Sequence, residues 1–238
     1  MIKLYDKKIE YGMCDTNACI KPVEILKIIE AAVASFFAVY SKDNLTIKKE
    51  YQALWLFTKT KYEVERLPLW NEEVHVEACR ASFDSKLVAV IEIYIHPKDQ
   101  AEGIHAWVEC TAASIATRKL LRLSAIDFTI AEEKTGFIGF SKWERIEDYE
   151  EVYQLKVTAS YLDYSRHVNN AEYVRILMDS FSLKEIEQLS IKTLEIHYLK
   201  ESYEQDELHI FRTKQEQQYC FSLQTDLPIV EMRMEEEK

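Results

Sequence analysis

Residues 163–173 read DYSRHVNNAEY, and this stretch joins a short turn to the start of an amphipathic helix. The turn contains an acid, an imidazole and two amides. Such a turn can direct a carboxylate, a ring nitrogen and the free N–H groups of a helix start towards one point, as chemistry at a carbonyl carbon requires. The stretch therefore predicts both a strand-to-helix junction and a reactive site.

The same stretch has a counterpart near the N-terminus. Residues 9–20 align with residues 157–168 without a gap, and the alignment pairs Cys19 with His167. The predicted elements also repeat in order, as strand, helix and strands in each half. Since the second copy alone has the imidazole, the sequence predicts a duplicated α+β unit with one active copy and one supporting copy.

Two helices and a series of strands follow from the hydrophobic periodicity. Apolar residues at helical spacing predict one largely buried helix from Pro22 to Tyr40 and a second from Asn170 to about Glu187. Alternating or continuous apolar runs predict strands over residues 54–64, 74–78, 87–95, 104–123, 191–200, 207–213, 219–225 and 229–234. The polar segment 128–149 is the predicted connector, with the boundary between the two units near residue 140.

Composition narrows the classes of function. The 238 residues are 47% hydrophobic, and the net charge of −11 argues against a nucleic-acid partner. No apolar run is long enough to span a bilayer, and the N-terminus has no signal-peptide core. Five scattered cysteines without metal spacing indicate free thiols in a reducing compartment. We expect a soluble cytoplasmic protein without a metal or another cofactor.

His167 is the leading candidate for a catalytic group. Asp163 lies four residues earlier in the same turn, and a carboxylate near an imidazole fixes its tautomer and raises its basicity. The alternative is that Asp163 and Ser165 only cap the turn and the helix. Asn169 and Asn170 have the character of cap residues, which would leave the backbone N–H groups of Val168 and Asn169 free to hold an oxyanion.

The chain also resembles the fatty acyl-ACP thioesterases over nearly its whole length. The second half of those proteins carries a motif of the form Asp-x-Asn-x-His-Val-Asn-Asn-x-x-Tyr. This chain matches the motif at Asp163, His167, Val168, Asn169, Asn170 and Tyr173. Residues 66–76 are similar to the family's Arg-x-Pro-x-Trp turn and the strand that follows it.

The resemblance implies a set of site residues. Family members carry a functional Glu after a later strand, and Glu201 takes that position after residues 194–200. The implied catalytic residues are Asp163, His167, Glu201 and Ser165, and the implied substrate- or oxyanion-binding residues are Val168, Asn169 and Asn170. Two positions depart from the family. Ser165 replaces an Asn, and Ser202 replaces a frequent Cys, so a thiol nucleophile at that position is not expected.

The resemblance further implies two tandem hotdog repeats, each a long helix wrapped by a curved antiparallel sheet. Residues 1–140 would form the N-terminal repeat and residues 141–238 the C-terminal repeat with the catalytic turn. Because the first repeat lacks the imidazole but has the more apolar helix, we expect it to hold the acyl chain. Two hotdog repeats already supply the usual paired unit, so a monomer is expected, with a homodimer as the alternative.

The implied reaction is hydrolysis of fatty acyl-acyl carrier protein to a free fatty acid and the carrier. An acidic carrier requires a locally basic docking surface, for which the candidates are Arg118, Lys119 and Arg122, or Lys48 and Lys49. Two alternatives stay open. One is a hotdog thioesterase that acts on acyl-CoA, and the other is a hotdog module that binds acyl groups without catalysis.

Overall fold

The structure is a computed structural model that describes residues 1–143 and 148–237. Residues 144–147, which belong to the predicted connector, and Lys238, at the end of the predicted second repeat, lie outside the described residues. None of the described helices is long and apolar enough to cross a membrane.

The described elements form four helices and one large sheet. The helices are α1 (Pro22–Val39), α2 (Asn44–Tyr51), α3 (Asn170–Met178) and α4 (Leu183–Gln188). The strands of the first half are β1 (Ile2–Lys8), β2 (Ala53–Val64), β3 (Glu73–Ala81), β4 (Val88–Pro97), β5 (Ile104–Ser114), β6 (Leu120–Leu121) and β7 (Glu132–Glu133). Those of the second half are β8 (Glu150–Lys156), β9 (Ile191–Tyr198), β10 (Glu207–Gln215), β11 (Gln218–Gln224) and β12 (Pro228–Glu236).

The two halves share the sheet edge to edge. The strand order is β1-β3-β4-β5-β2-β9-β12-β11-β10-β8, with β6 beside β5 and β7 beside β3. The junction is the antiparallel pair of β2 and β9, in which Lys59 lies opposite His197 and Tyr62 opposite Leu194. Helices α1 and α3 contact each other on one face of this sheet, and residues of both halves form one continuous core.

Helix α1 is buried because its apolar residues recur at helical spacing. Ile25, Leu26, Ile29, Val33 and Phe36 are all buried in the core, whereas Lys27 is exposed. Pro22 occupies the start of the helix, where the missing N–H costs no hydrogen bond. The helix ends at Val39, one residue earlier than predicted.

Strand β2 differs from the predicted alternation at its start. Simple alternation over residues 54–64 places the even positions on one face, but Ala53 and Trp55 are the buried residues in the first part of the strand. The register shifts between Phe57 and Lys59, so Thr60 and Tyr62 are buried in the second part. A β-bulge adds one residue and moves the following side chains to the opposite face.

The predicted second helix is two helices. Helix α3 ends at Met178, and α4 starts at Leu183 after Ser182. The Ser182 side chain accepts a hydrogen bond from the Glu185 N–H, and the Glu185 carboxylate accepts one from the Ser182 N–H. This capping box fixes a new helix start and interrupts the expected single helix. Helix α2 was not predicted from the sequence; Asp43 caps its start.

The predicted connector is anchored to the sheet at the junction of the two halves. The N–H and the hydroxyl of Ser141 donate hydrogen bonds of 2.9 and 2.8 Å to the buried Glu195 carboxylate. Glu195 also pairs with the buried His197, at 2.7 Å. Burial raises the pKa of Glu195, but these hydrogen bonds outweigh burial and lower the pKa overall. Ser141 thus fixes the described part of the connector to β9, while Glu132–Glu133 fix it to β3.

Candidate active site

The turn that carries His167 is closed by its own backbone. The Asp163 N–H donates to the His167 carbonyl at 3.0 Å, and the Arg166 N–H donates to the Asp163 carbonyl at 3.1 Å. Arg166 has a left-handed backbone with φ of 68°. One Asp163 oxygen accepts the Ser165 N–H at 2.7 Å, so this carboxylate holds the turn while its second oxygen stays available.

The imidazole of His167 lies between two carboxylates. Its Nδ1 is 3.9 Å from Asp163 Oδ2, and its Nε2 is 3.9 Å from Glu201 Oε1. The three side chains are between 22% and 34% exposed, so water reaches each of them. Both contacts are longer than a hydrogen bond. The structure thus brings together three of the four predicted catalytic side chains.

Ser165, the fourth predicted catalytic residue, enters the geometry through its backbone. Its N–H binds Asp163, and the residue is exposed at the tip of the turn. The shorter side chain at this position therefore leaves the turn itself intact.

Glu201 is positioned by its neighbours in sequence. The Tyr203 hydroxyl donates to Glu201 Oε2 at 2.5 Å, which leaves Oε1 directed at the imidazole. Ser202 is fully buried, its carbonyl accepts the Val168 N–H at 2.9 Å, and its hydroxyl lies 2.7 Å from the Tyr173 hydroxyl. Ser202 therefore attaches the segment after β9 to the catalytic turn and to α3.

The two backbone N–H groups expected to hold an oxyanion already have partners within the protein. The Val168 N–H binds the Ser202 carbonyl, and the Asn169 N–H binds the Tyr161 carbonyl at 3.0 Å, so neither is free as predicted. These bonds arise because the turn must be held between the segment after β9 and the segment before it. At the helix start the Asn170 N–H has no hydrogen-bond partner within the described residues.

Asn169 connects the catalytic turn to the first half of the chain. Its Oδ1 accepts the Ala171 N–H at 2.9 Å and so caps α3, as the sequence predicted. Its Nδ2 donates to Glu30 Oε2 of helix α1 at 3.3 Å. Helical spacing puts Glu30 on the same edge of α1 as Glu24 and Lys27, which by itself predicts a solvated residue and no such contact. A lone acid within the most apolar run of the chain is the signal that would have found it.

Glu30 should make stability depend on pH. Burial raises its pKa from 4.5 to about 7, against the opposing hydrogen bond from Asn169. Between these values the folded state binds more protons than the unfolded state. The stability that the neutral carboxyl contributes is thus complete below pH 4.5 and is lost as the pH rises through about 7. Glu30→Gln mimics the neutral acid, so we expect its melting temperature to exceed that of the wild type above pH 7 and to approach it at about pH 5.

Glu24→Gln is the matched control for this prediction. Glu24 lies on the same helix and pairs with Lys27 at the surface, so its effect should not change between those two conditions. The measurement is the melting temperature of the wild type and of both variants, at about pH 5 and above pH 7. An equal shift for both variants, or a constant difference between Glu30→Gln and the wild type, would contradict the role assigned to Glu30.

The first copy of the turn has the same backbone without the same chemistry. The Asp15 N–H donates to the Cys19 carbonyl at 2.8 Å, and Ala18 has a left-handed φ of 60°, as Arg166 has in the second copy. Cys19 takes the place of His167, and burial raises the pKa of its thiol. This thiol is therefore protonated and poorly nucleophilic, as expected for the supporting copy.

Comparison with known proteins agrees with this geometry. The acyl-ACP thioesterase C-terminal domain family matches residues 144–237. This match confirms the predicted resemblance and, with it, the predicted class of enzyme, a thioester hydrolase. No curated protein sequence matches the chain.

Two solved structures resemble the whole chain. An acyl-ACP thioesterase from Bacteroides thetaiotaomicron superposes with a TM-score of 0.88 at 18% identity, covering 98% of this chain and 96% of that one. The 12:0-ACP thioesterase from Umbellularia californica superposes with a TM-score of 0.87 at 14% identity, with the same two coverages. These matches confirm the predicted fold of two hotdog units.

Proposed function

We propose that this chain, whose C-terminal half belongs to the acyl-ACP thioesterase family, hydrolyses fatty acyl-ACP to a free fatty acid and the carrier. The observation that carries the proposal is the position of His167 between the carboxylates of Asp163 and Glu201, at the start of helix α3. The test is release of the carrier thiol from acyl-ACPs of several chain lengths, beside acyl-CoA of the same lengths.

The proposed reaction is direct attack of water on the thioester carbonyl. Glu201 or His167 takes a proton from the water as its oxygen bonds to the carbonyl carbon. The tetrahedral oxyanion is stabilised by an N–H at the start of α3, for which Asn170 has the free group. When the carbon–sulfur bond breaks, the carrier thiolate leaves and receives a proton from the protonated base. Asp163 fixes the turn and faces Nδ1 of the imidazole.

Two positions in the site argue for water over an enzyme nucleophile. Ser202, at the frequent Cys position, is fully buried and hydrogen-bonded to Tyr173. Ser165 is exposed at the tip of the turn, and its hydroxyl makes no hydrogen bond with the imidazole. An activated serine needs a base within hydrogen-bond reach, so neither residue has the contacts of one.

A basic surface beside the site supports the acyl carrier protein as partner. We call Lys48, Lys49, Arg118, Lys119 and Arg122 the basic patch; all five are exposed. None forms a salt bridge within the described residues. The end of α2 and the loop after β5 are adjacent, because the backbone N–H of residue 115 donates to the carbonyl of residue 52 at 2.9 Å.

One residue of the basic patch, Arg118, acts on the site electrostatically. The pKa of Tyr203 is raised, first by its hydrogen bond to Glu201, and Arg118 opposes that rise. The Arg118 guanidinium therefore lies within electrostatic reach of the pair that positions the catalytic carboxylate. In a chain of net charge −11, such a local cluster would orient an acidic carrier with its thioester towards His167.

Charge reversal in the basic patch should separate the two carriers. We expect the double variant Lys119→Glu and Arg122→Glu to raise KM for acyl-ACP roughly tenfold while kcat changes little, because docking is weakened and the Tyr203–Glu201 pair keeps its neighbour Arg118. KM for acyl-CoA of the same chain should rise much less. Steady-state kinetics on both substrates make the measurement.

Lys8→Glu and Lys192→Glu together are the control, since both lysines are exposed and lie outside the basic patch. If the control variant raises KM for acyl-ACP as much as the patch variant does, the assigned docking surface is wrong. A wild-type enzyme that turns over acyl-CoA better than acyl-ACP would favour the acyl-CoA thioesterase.

The remaining assignments extend the same proposal. We place the acyl chain of the substrate in the first repeat, residues 1–140, because α1 supplies Glu30 beside the catalytic turn and continues with apolar turns. We further propose that the reaction serves fatty acid synthesis in the cytoplasm, a reducing compartment that suits the five free cysteines. One chain already pairs two hotdog units through β2 and β9, so a monomer is the proposed state.

A further inference from the structure

A cavity of about 910 Å³ lies beside the degenerate turn of the first repeat. Its walls come from that turn, the start of α1, strand β2, the end of α3 and helix α4. The lining residues on which the inference depends are Ile25, Val64, Leu67, Met178, Leu183 and Ile186. We call this cavity the degenerate pocket.

The degenerate pocket lies at the opposite end of the shared elements from the catalytic turn. Ile191, which lines the pocket, starts β9, and Tyr198 ends it just before Glu201. At about 3.3 Å per residue this strand spans roughly 23 Å. Likewise, α3 starts at the catalytic turn and meets the pocket in its last turn, at Arg175 and Met178. None of residues 157–170 lines the pocket.

The pocket is the counterpart of the catalytic site under the internal repeat. The Ile20 N–H donates to the Pro68 carbonyl at 3.1 Å, as the Val168 N–H donates to the Ser202 carbonyl. The two hydrogen bonds relate the segment after β2 to the segment after β9, and the gapless alignment relates the two turns and the two helices. Together they pair polar residues around the catalytic turn with residues of the pocket. The pairs are Glu201 with Leu67, Tyr198 with Val64, Tyr173 with Ile25 and Glu30 with Met178.

Each of these four replacements exchanges a polar side chain for an aliphatic one or a thioether. Cys19 likewise stands in the place of the imidazole. The pocket keeps the position of an acyl site and retains two polar groups, the Asp15 carboxylate, which accepts N–H groups of its own turn, and the buried Tyr62 hydroxyl. It has lost the counterparts of Glu201 and of the imidazole, and the side chains in the four paired positions are apolar. A wall of this kind favours hydrocarbon over polar ligands.

The basic residues that line the pocket already have partners. Lys21 Nζ donates to the Gly12 carbonyl at 2.9 Å, and Lys27 pairs with Glu24 at 2.8 Å. Arg175 pairs with Glu172. A ligand would therefore be held by its chain, with its polar end at the mouth in water.

We propose that the degenerate pocket binds a free fatty acid by its aliphatic chain, as a second acyl site that does not hydrolyse its ligand. The choice of ligand rests on the proposed function, because a fatty acid is the product of that reaction. The presence of the pocket in the fold does not depend on the proposed function. The pocket has no counterpart of the imidazole or of the Glu201 carboxylate, so it would not hydrolyse an acyl thioester that entered it.

Photolabelling of the full chain tests this assignment. The probe is a saturated fatty acid with a diazirine in the middle of its chain, and labelled peptides are mapped by mass spectrometry. We expect label in peptides that contain residues 20–27 or 183–191. Leu67→Trp, which fills the pocket, should reduce this label about tenfold through steric exclusion. Leu183→Trp, at the exposed mouth, is a second filling variant with less effect on folding.

Leu45→Trp is the matched control, because Leu45 is 75% exposed on α2 and does not line the pocket. Equal label in the filling and control variants, or label only around residues 157–170, would overturn the assignment. A shorter preferred chain length for hydrolysis in Leu67→Trp would also overturn it, since the pocket would then hold the substrate's own tail. If the protein hydrolyses no thioester but pocket label is present, the proposed function fails and the binding site stands.

Discussion

His167→Ala is expected to reduce thioester hydrolysis by a factor on the order of 10²–10⁴ in kcat, the usual cost of losing a positioned acid or base. The imidazole lies between Asp163 and Glu201 and is the group that both carboxylates face. Its ring is about one-quarter exposed, and the turn is closed by backbone hydrogen bonds that do not involve the ring. The fold should therefore persist, which circular dichroism and thermal unfolding can check.

His209→Ala is the control for this prediction. His209 also pairs with a carboxylate, Glu151, at 2.6 Å, and it lies in the same half of the chain, but its pair is on the sheet surface. It should hydrolyse acyl-ACP at the wild-type rate. Wild-type turnover in a folded His167→Ala protein would remove the basis of the proposed active site. Loss of activity in both variants would point to a general effect of removing surface ion pairs.

The repeat and its principal elements were predictable from the sequence because they depend on local patterns. The apolar spacing of α1 and the alignment of the two turns each lie within a few consecutive residues. The break after Met178 was missed because the apolar spacing continues through Phe181, although the Ser182–Glu185 capping box was visible. The bulge near Thr58 depends on the register of β2 against β5, which no pattern within β2 records.

In the site, the residues of one segment were predictable and the contacts between segments were not. Asp163 and His167 are four residues apart in one turn, and Glu201 came from the family resemblance. The partners of the Val168 and Asn169 N–H groups depend on where the segment after β9 lies, so the expectation of free groups failed. Glu30 is far from Asn169 in sequence, and packing of α1 against α3 joins them.

Glu201→Gln is expected to depress kcat far more than it raises KM, by a factor on the order of 10²–10⁴ if Glu201 is the general base. The amide keeps the shape of the side chain and can still accept the hydrogen bond from Tyr203. It cannot accept a proton from water at Oε1, the oxygen that faces the imidazole. Steady-state kinetics on acyl-ACP separate the two parameters, and binding of acyl-ACP to the variant measures affinity directly.

Glu204→Gln is the matched control, since Glu204 is exposed three residues further along the same loop. It should hydrolyse acyl-ACP as the wild type does. The competing mechanism is a covalent acyl-enzyme. Ser202 would have to leave its buried bond with Tyr173 to form one, and Ser165 would need a base that its hydroxyl does not contact. An acyl group trapped on either serine, together with near-normal activity of Glu201→Gln, would replace attack by water with nucleophilic catalysis. Oxygen-18 from the solvent in both carboxyl oxygens of the product, rather than one, would instead indicate reversible attack by water.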